Sequence, residues 1–218
     1  MEIELLQTGV LSVNTLVVPC GISKCFVVDP AACSLSNDEN CITDYLQGKK
    51  LECVAVILTH THFDHITGIN KIKEKFKDAP VCVHEAEVSE LQNPVGLMNE
   101  NVLKDCGAMI VYEQLLKQPP ADISLKGDAM LNSFVPSIEG DWKIIHTPGH
   151  SPGSICLFSR TQKVLIAGDT IFSSGGFGRT DLYGGDFNAL KKSLVYLKQT
   201  IPQNTQVFCG HGPSFYFE

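Results

Sequence analysis

Apolar positions along the chain fall into two patterns. Short, nearly continuous runs come first: VNTLVV at 13–18 and CFVVD at 25–29 are rich in β-branched residues and bounded by Gly21 and Pro30, and they predict a strand meander. CVAVILT at 53–59 has the length and unbroken apolarity of a strand buried on both faces, which places it in the central sheet. PVCVH at 80–84, WKIIH at 142–146, SICLF at 154–158, KVLIAG at 163–168 and QVFCG at 206–210 predict further strands. The second pattern has helical spacing. It covers Ile42, Tyr45 and Leu46, then Ile66, Ile69, Ile72 and Phe76 in one amphipathic helix ending before Pro80, and finally Phe187, Leu190, Leu194 and Leu197. Residues 92–140 carry Pro94, Pro119, Pro120 and Pro136 and no sustained period. Strands with intervening helices, and neither linker nor repeat, predict one layered α/β domain over 1–218.

Composition narrows the function. The chain has 218 residues, 44% of them apolar, enough for a large core. Its 17 basic and 24 acidic residues give a net charge of -7, and no basic stripe tracks a phosphate backbone, so nucleic acid is excluded as a partner. An acidic start at Glu2 and Glu4 and the lack of a long apolar run predict a cytoplasmic protein without a membrane span. Nine cysteines, an odd number with no C-x-x-C pair, predict reduced thiols, with Cys82, Cys156 and Cys209 packed as small hydrophobes.

The chemistry concentrates in THTHFDH at the end of the 53–59 run. A lone histidine carries little site information, but His60, His62 and His65 with Asp64 lie within six residues. Alternating His60 and His62 can converge on one ion, while Asp64 and His65, in the tight turn that follows, face a second. His150, Asp169 and His211 each follow an apolar strand, the position from which loops present site residues. Imidazole and carboxylate together suit zinc or iron. A rival motif, Gly149-His150-Ser151-Pro152-Gly153, satisfies the G-x-S-x-G pattern of serine hydrolases. Pro152 stands where an oxyanion-hole N–H is required and has none, so Ser151 is not expected to be a nucleophile. Asp29 and Asn14 fit turn and capping roles as well as support of the site, and His84 and His146 fit positions that orient a ligand.

THTHFDH, GHS, GDT and GHG, in this order and at these distances, resemble the H-x-H-x-D-H signature and downstream ligands of the metallo-β-lactamase superfamily. The resemblance covers essentially the whole chain and implies a four-layer αββα sandwich. It implies two divalent metal ions, zinc foremost with iron or manganese as alternatives: His60, His62 and His150 on the first, Asp64, His65 and His211 on the second, and Asp169 bridging. TPGHSPGS and FGRTDL at 177–182 are most similar to the glyoxalase II branch, the hydroxyacylglutathione hydrolases. That likeness implies hydrolysis of a thioester, a small-molecule substrate, by water activated between the metals, with Asp64 and Asp169 as catalytic carboxylates.

Seven residues follow His211, so substrate contacts are expected from 92–140 and from the loop around Phe177, Arg179 and Tyr183, with Arg179 either gripping an anionic substrate or paired with Asp181. A similar G-x-G-R-T-D stretch in persulfide dioxygenases implies a second reading. There, one iron would be held by His150, Asp169 and one motif histidine. Lactonase or lactamase activity and a non-enzymatic metal-binding module are the remaining alternatives.

Overall fold

Strand alternation decides how the layers are used. In the computed structural model, which describes residues 2–94, 96, 103, 104, 107 and 109–218, Glu52–Ile57 forms β4 at the centre of a six-stranded sheet. Its order is β1 (Glu4–Thr8), β2 (Val13–Pro19), β3 (Lys24–Val28), β4, β5 (Val81–His84) and β6 (Ile123–Leu125). The first three strands are antiparallel neighbours, and β3 to β6 run parallel. A second sheet has the order β11 (Phe215–Tyr216), β10 (Gln206–Cys209), β9 (Val164–Gly168), β8 (Ile155–Ser159) and β7 (Trp142–His146). Its one parallel pair is β9 with β10.

Successive side chains of a strand enter different cores. Phe26, Val28, Val54 and Ile57 face Ile155, Leu157, Val164 and Ile166 of the second sheet, with Trp142 edge-on to Phe26 at 5.6 Å between ring centroids. Cys25, Val27, Cys53 and Val56 face outward onto Ile42 and Leu46 of α1 (Cys41–Gly48), Ile66 of α2 (Phe63–Ile66), and Ile69 and Ile72 of α3 (Ile69–Lys75). On the other side Cys156, Phe158, Leu165 and Val207 pack against Leu197 and Ile201 at the end of the helix Phe187–Thr200. The result is the four-layer αββα sandwich of the metallo-β-lactamase fold, with burial of each strand face holding its register. No helix among the described residues is long and apolar enough to cross a membrane.

Two features differ from the sequence pattern. The single helix expected after THTHFDH is broken at Thr67 and Gly68, because the Thr67 hydroxyl donates to the Ala31 carbonyl at 2.6 Å and the Gly68 N–H to the Pro30 carbonyl at 2.8 Å. The edge strands β1, β6 and β11 are mostly exposed or half-buried, so they carry no apolar run that stands out in the sequence. Eight cysteines are free thiols and mostly buried, with burial pushing Cys82 up to about 12 and Cys156 up to about 11; Cys106 lies outside the described residues.

Candidate metal centre

Every potential donor follows the carboxyl end of a strand. His60 and His62 follow β4, His150 follows β7, Asp169 comes directly after β9, and His211 comes two residues after β10. Asp64 and His65 lie in the one-turn helix α2 rather than in a non-helical turn, which points both side chains inward; they are 7% and 0% exposed. The two sheets are tied together at this edge. Val13 bridges to His211, and the Asn14 side chain donates to the Cys209 and Gly212 carbonyls at 2.9 and 2.7 Å, clamping the loop that carries His211. Gly210 lets Asp169 approach, since a Cβ there would overlap the Asp169 carboxylate.

Two trios of donors share no member, His60, His62 and His150 in one, Asp64, His65 and His211 in the other; a third close group, Asp29, His60 and His65, lies between them. In the first, His150 Nε2 lies 2.8 Å from His62 Nδ1 and 3.3 Å from His60 Nε2. His150 Nδ1 donates to the Arg179 carbonyl at 2.7 Å, so its Nε2 presents a lone pair to the other two rings. In the second trio, His211 Nε2 lies 3.3 Å and His65 Nε2 3.5 Å from Asp64 Oδ2. Their Nδ1 atoms face the Leu11 carbonyl at 3.1 Å and Asp29 Oδ2 at 3.0 Å. Asp169 faces both trios: Oδ2 is 3.5 Å from His150 and 3.6 Å from His211, and Oδ1 is 3.6 Å from His65.

Lone pairs aimed at lone pairs repel unless a cation lies between them. His62 Nε2, His65 Nε2 and Asp169 Oδ1 are buried without a hydrogen-bond partner, and such orphans call for an explanation. The electrostatics agree. Burial, reinforced by the neighbouring imidazoles, pushes His60 and His62 well below the usual histidine range and keeps their lone pairs free. At His65 burial acts in the same direction, but Asp64, Asp169 and Asp29 outweigh it and raise the group to about 10. Burial would raise Asp64, yet His65 and His211 hold it far below the usual carboxylate range. The second trio therefore demands positive charge. The donor types and their facing lone pairs fit two divalent metal ions.

Above the donors is a cavity of about 350 Å³ whose walls include Leu11, Phe172, Gly178, Arg179 and Leu182. A larger groove of about 720 Å³ between the last helix and Phe215–Glu218 contains none of the clustered donors. Arg179 lines the smaller cavity, but its guanidinium forms a two-pronged pair with Asp181 at 2.8 and 2.7 Å. Tyr183, 54% exposed, is not among the lining residues. Part of the 92–140 segment lies outside the described residues.

Ser151 is fully buried, and its hydroxyl reaches Glu87 and Ser154, not the cavity. His84 and His146 stack on each other, centroids 4.0 Å apart, and their ring nitrogens bond Ala86 and Pro152 rather than a donor of either trio. Asp29 does act on the site, accepting from the Thr59 N–H at 2.7 Å and the Thr59 hydroxyl at 2.6 Å while holding His65.

The chain belongs to the metallo-β-lactamase superfamily, whose model matches residues 8–211. Among relatives, it is 35% identical to the probable metallo-hydrolase YqgX of Bacillus subtilis, over 87% of this chain and 81% of that one. It is 30% identical to the hydroxyacylglutathione hydrolase of Shewanella halifaxensis, over 87% of this chain and 57% of that one. Among solved structures, BLEG-1 B3 metallo-beta-lactamase superposes with a TM-score of 0.82 at 29% identity, covering 99% of this chain and 94% of that one. TTHA1623 in a di-iron-bound form superposes with 0.77 at 26% identity, covering 98% and 94%.

Proposed function

We propose that this metallo-hydrolase cleaves a thioester of the glyoxalase II type, an S-2-hydroxyacylglutathione, to the hydroxy acid and the thiol. The observation that carries the hydrolytic reading is the pair of converging donor trios sharing Asp169 at the floor of one small cavity. His60, His62 and His150 would hold one ion, Asp64, His65 and His211 the other, and Asp169 both. When bound, the ions supply Lewis acidity, which polarises a carbonyl and makes water acidic enough to attack at neutral pH. The chain's own residues do the rest. Asp64 and Asp169 accept hydrogen bonds from the attacking water and fix its direction, while Leu11, Phe172 and Leu182 exclude bulk water and face the apolar part of the substrate.

No side-chain nucleophile is required, in keeping with the burial of Ser151. TPGHSPGS, FGRTDL and the Shewanella relative support the thioester. The test is turnover of S-lactoylglutathione by protein loaded with zinc, iron or manganese, run beside oxygen uptake with glutathione persulfide and hydrolysis of a lactone and a β-lactam. Thioester cleavage without oxygen uptake is expected. No thioester turnover with both ions bound would overturn the assignment.

A further inference from the structure

The carboxylate of Glu87 is wholly buried against both loops that carry the imidazole trio. Glu87 ends the 3-10 turn Glu85–Glu87 that follows β5. Its Oε2 accepts the Thr61 backbone N–H at 2.7 Å and the Thr61 hydroxyl at 2.8 Å. Its Oε1 accepts the Gly153 N–H at 2.8 Å and the Ser151 hydroxyl. Thr61 is the residue between His60 and His62, and Ser151 directly follows His150. Ser154 completes the clasp: its hydroxyl accepts the Ser151 N–H at 3.1 Å and donates to Ser151 Oγ, 2.7 Å away. The approach is close enough that a Cβ on Gly153 would lie 2.9 Å from Glu87 Cγ.

We propose that Glu87 is the positioning residue of the imidazole trio, joining the His60–His62 loop to the His150 loop so that three rings from two separate loops meet at one point. The Glu87 carboxylate hydrogen-bonds to none of the rings. It acts through the backbone from which they project, whereas Asp29 grips the His65 ring directly. The chemistry requires glutamate. Four donors converge on two oxygens, and only a carboxylate offers acceptor sites on both. Glutamine would turn an NH₂ toward one of the two loops, and aspartate is a methylene too short to reach both. The Ser151 hydroxyl, which the G-x-S-x-G pattern would make a nucleophile, serves here as a structural donor.

This inference rests on the metal reading, so the experiment reports on each separately. Chelator-stripped protein is titrated with cobalt(II) and followed by its visible absorption, with His150→Ala and His211→Ala marking which step belongs to which trio. In Glu87→Gln the imidazole-trio step should weaken by about tenfold to a hundredfold, the usual effect of losing a residue that orients a ligand, while the other step shifts by less than about threefold. Thr61→Val should weaken the same step by less, and Thr61→Ser should restore it. Should Glu87→Gln fail to fold, the Thr61 pair decides alone. Equal weakening of both steps, or a lower Tm with cobalt binding unchanged, would overturn the proposal. A wild type that binds no cobalt would instead overturn the metal reading.

Discussion

The two halves of the donor cluster are built on opposite electrostatic plans. His60, His62 and His150 form an all-imidazole trio, 4% exposed or less, with burial and mutual repulsion keeping protons off His60 and His62. Asp64, His65 and His211 form a charged trio in which carboxylates draw a proton or a cation in, and His211 is partly open to solvent. One half is shaped by loop geometry, the other by charge. Asp169 is the residue they share, which explains why a single carboxylate sits against histidines from both.

The largest effect should therefore come from Asp169. Asp169→Ala is expected to strip both ions and lower activity by on the order of a thousandfold or more, since it removes the charge common to the two sites; ion content and turnover of the variant check this. Retention of one tightly bound ion would show that the halves are more independent than their geometry implies. Next in size, His150→Ala and His211→Ala should each lose one ion and keep the other. Loss of both from His211→Ala would show that the two halves do not bind separately.

A smaller effect separates the halves by pH in chelator-stripped protein. His65 is raised to about 10, so its stabilisation is fully present below the unfolded value of about 6.5 and is lost as pH rises through about 10. His60 and His62 are lowered, so the unfolded chain takes up their protons first and stability falls as pH drops below about 6.5. The depressed Asp64 contributes stability above about 3.9 and loses it on further acidification. Thermal melts should peak near pH 6.5, and Asp64→Asn should flatten the alkaline side. An alkaline slope unchanged by Asp64→Asn would remove the charged-trio account.

The smallest effect is expected at the rim. Arg179 is half exposed and spends its guanidinium on Asp181, and surface ion pairs of this kind contribute little. Arg179→Ala should raise KM for a glutathione thioester by about fivefold or less and leave kcat in place. Steady-state kinetics on that substrate and on a short thioester lacking glutathione decide it: a larger rise on the glutathione substrate alone would restore Arg179 as an anchor for its carboxylates.

The same contrast explains what was legible in the sequence. The layered α/β class could be read because period-two burial places alternate residues of β3, β4, β8 and β9 in different cores, and this leaves long apolar runs; the αββα order followed from the resemblance carried by THTHFDH, GHS, GDT and GHG. The donors could be read because His60, His62, Asp64 and His65 are crowded into six residues and because apolar strands end just before His150, Asp169 and His211. What was hidden acts at a distance. Glu87 stands 26 residues beyond Thr61 in an ordinary polar turn, and nothing local in EAEVSE distinguishes it from Glu85 or Glu90. The sequence offers the Arg179–Asp181 pair beside a substrate grip, and only the folded loop turns the guanidinium to its neighbour. The helix break at Thr67 and Gly68 depends on carbonyls of Ala31 and Pro30, more than thirty residues away in the chain.

The two unlike halves should each hold an ion. Elemental analysis of protein purified without chelator, with concentration fixed by amino-acid analysis, tests it most directly. Close to two first-row transition metal ions per chain are expected. One ion per chain under saturating metal, above all a single iron, would contradict it.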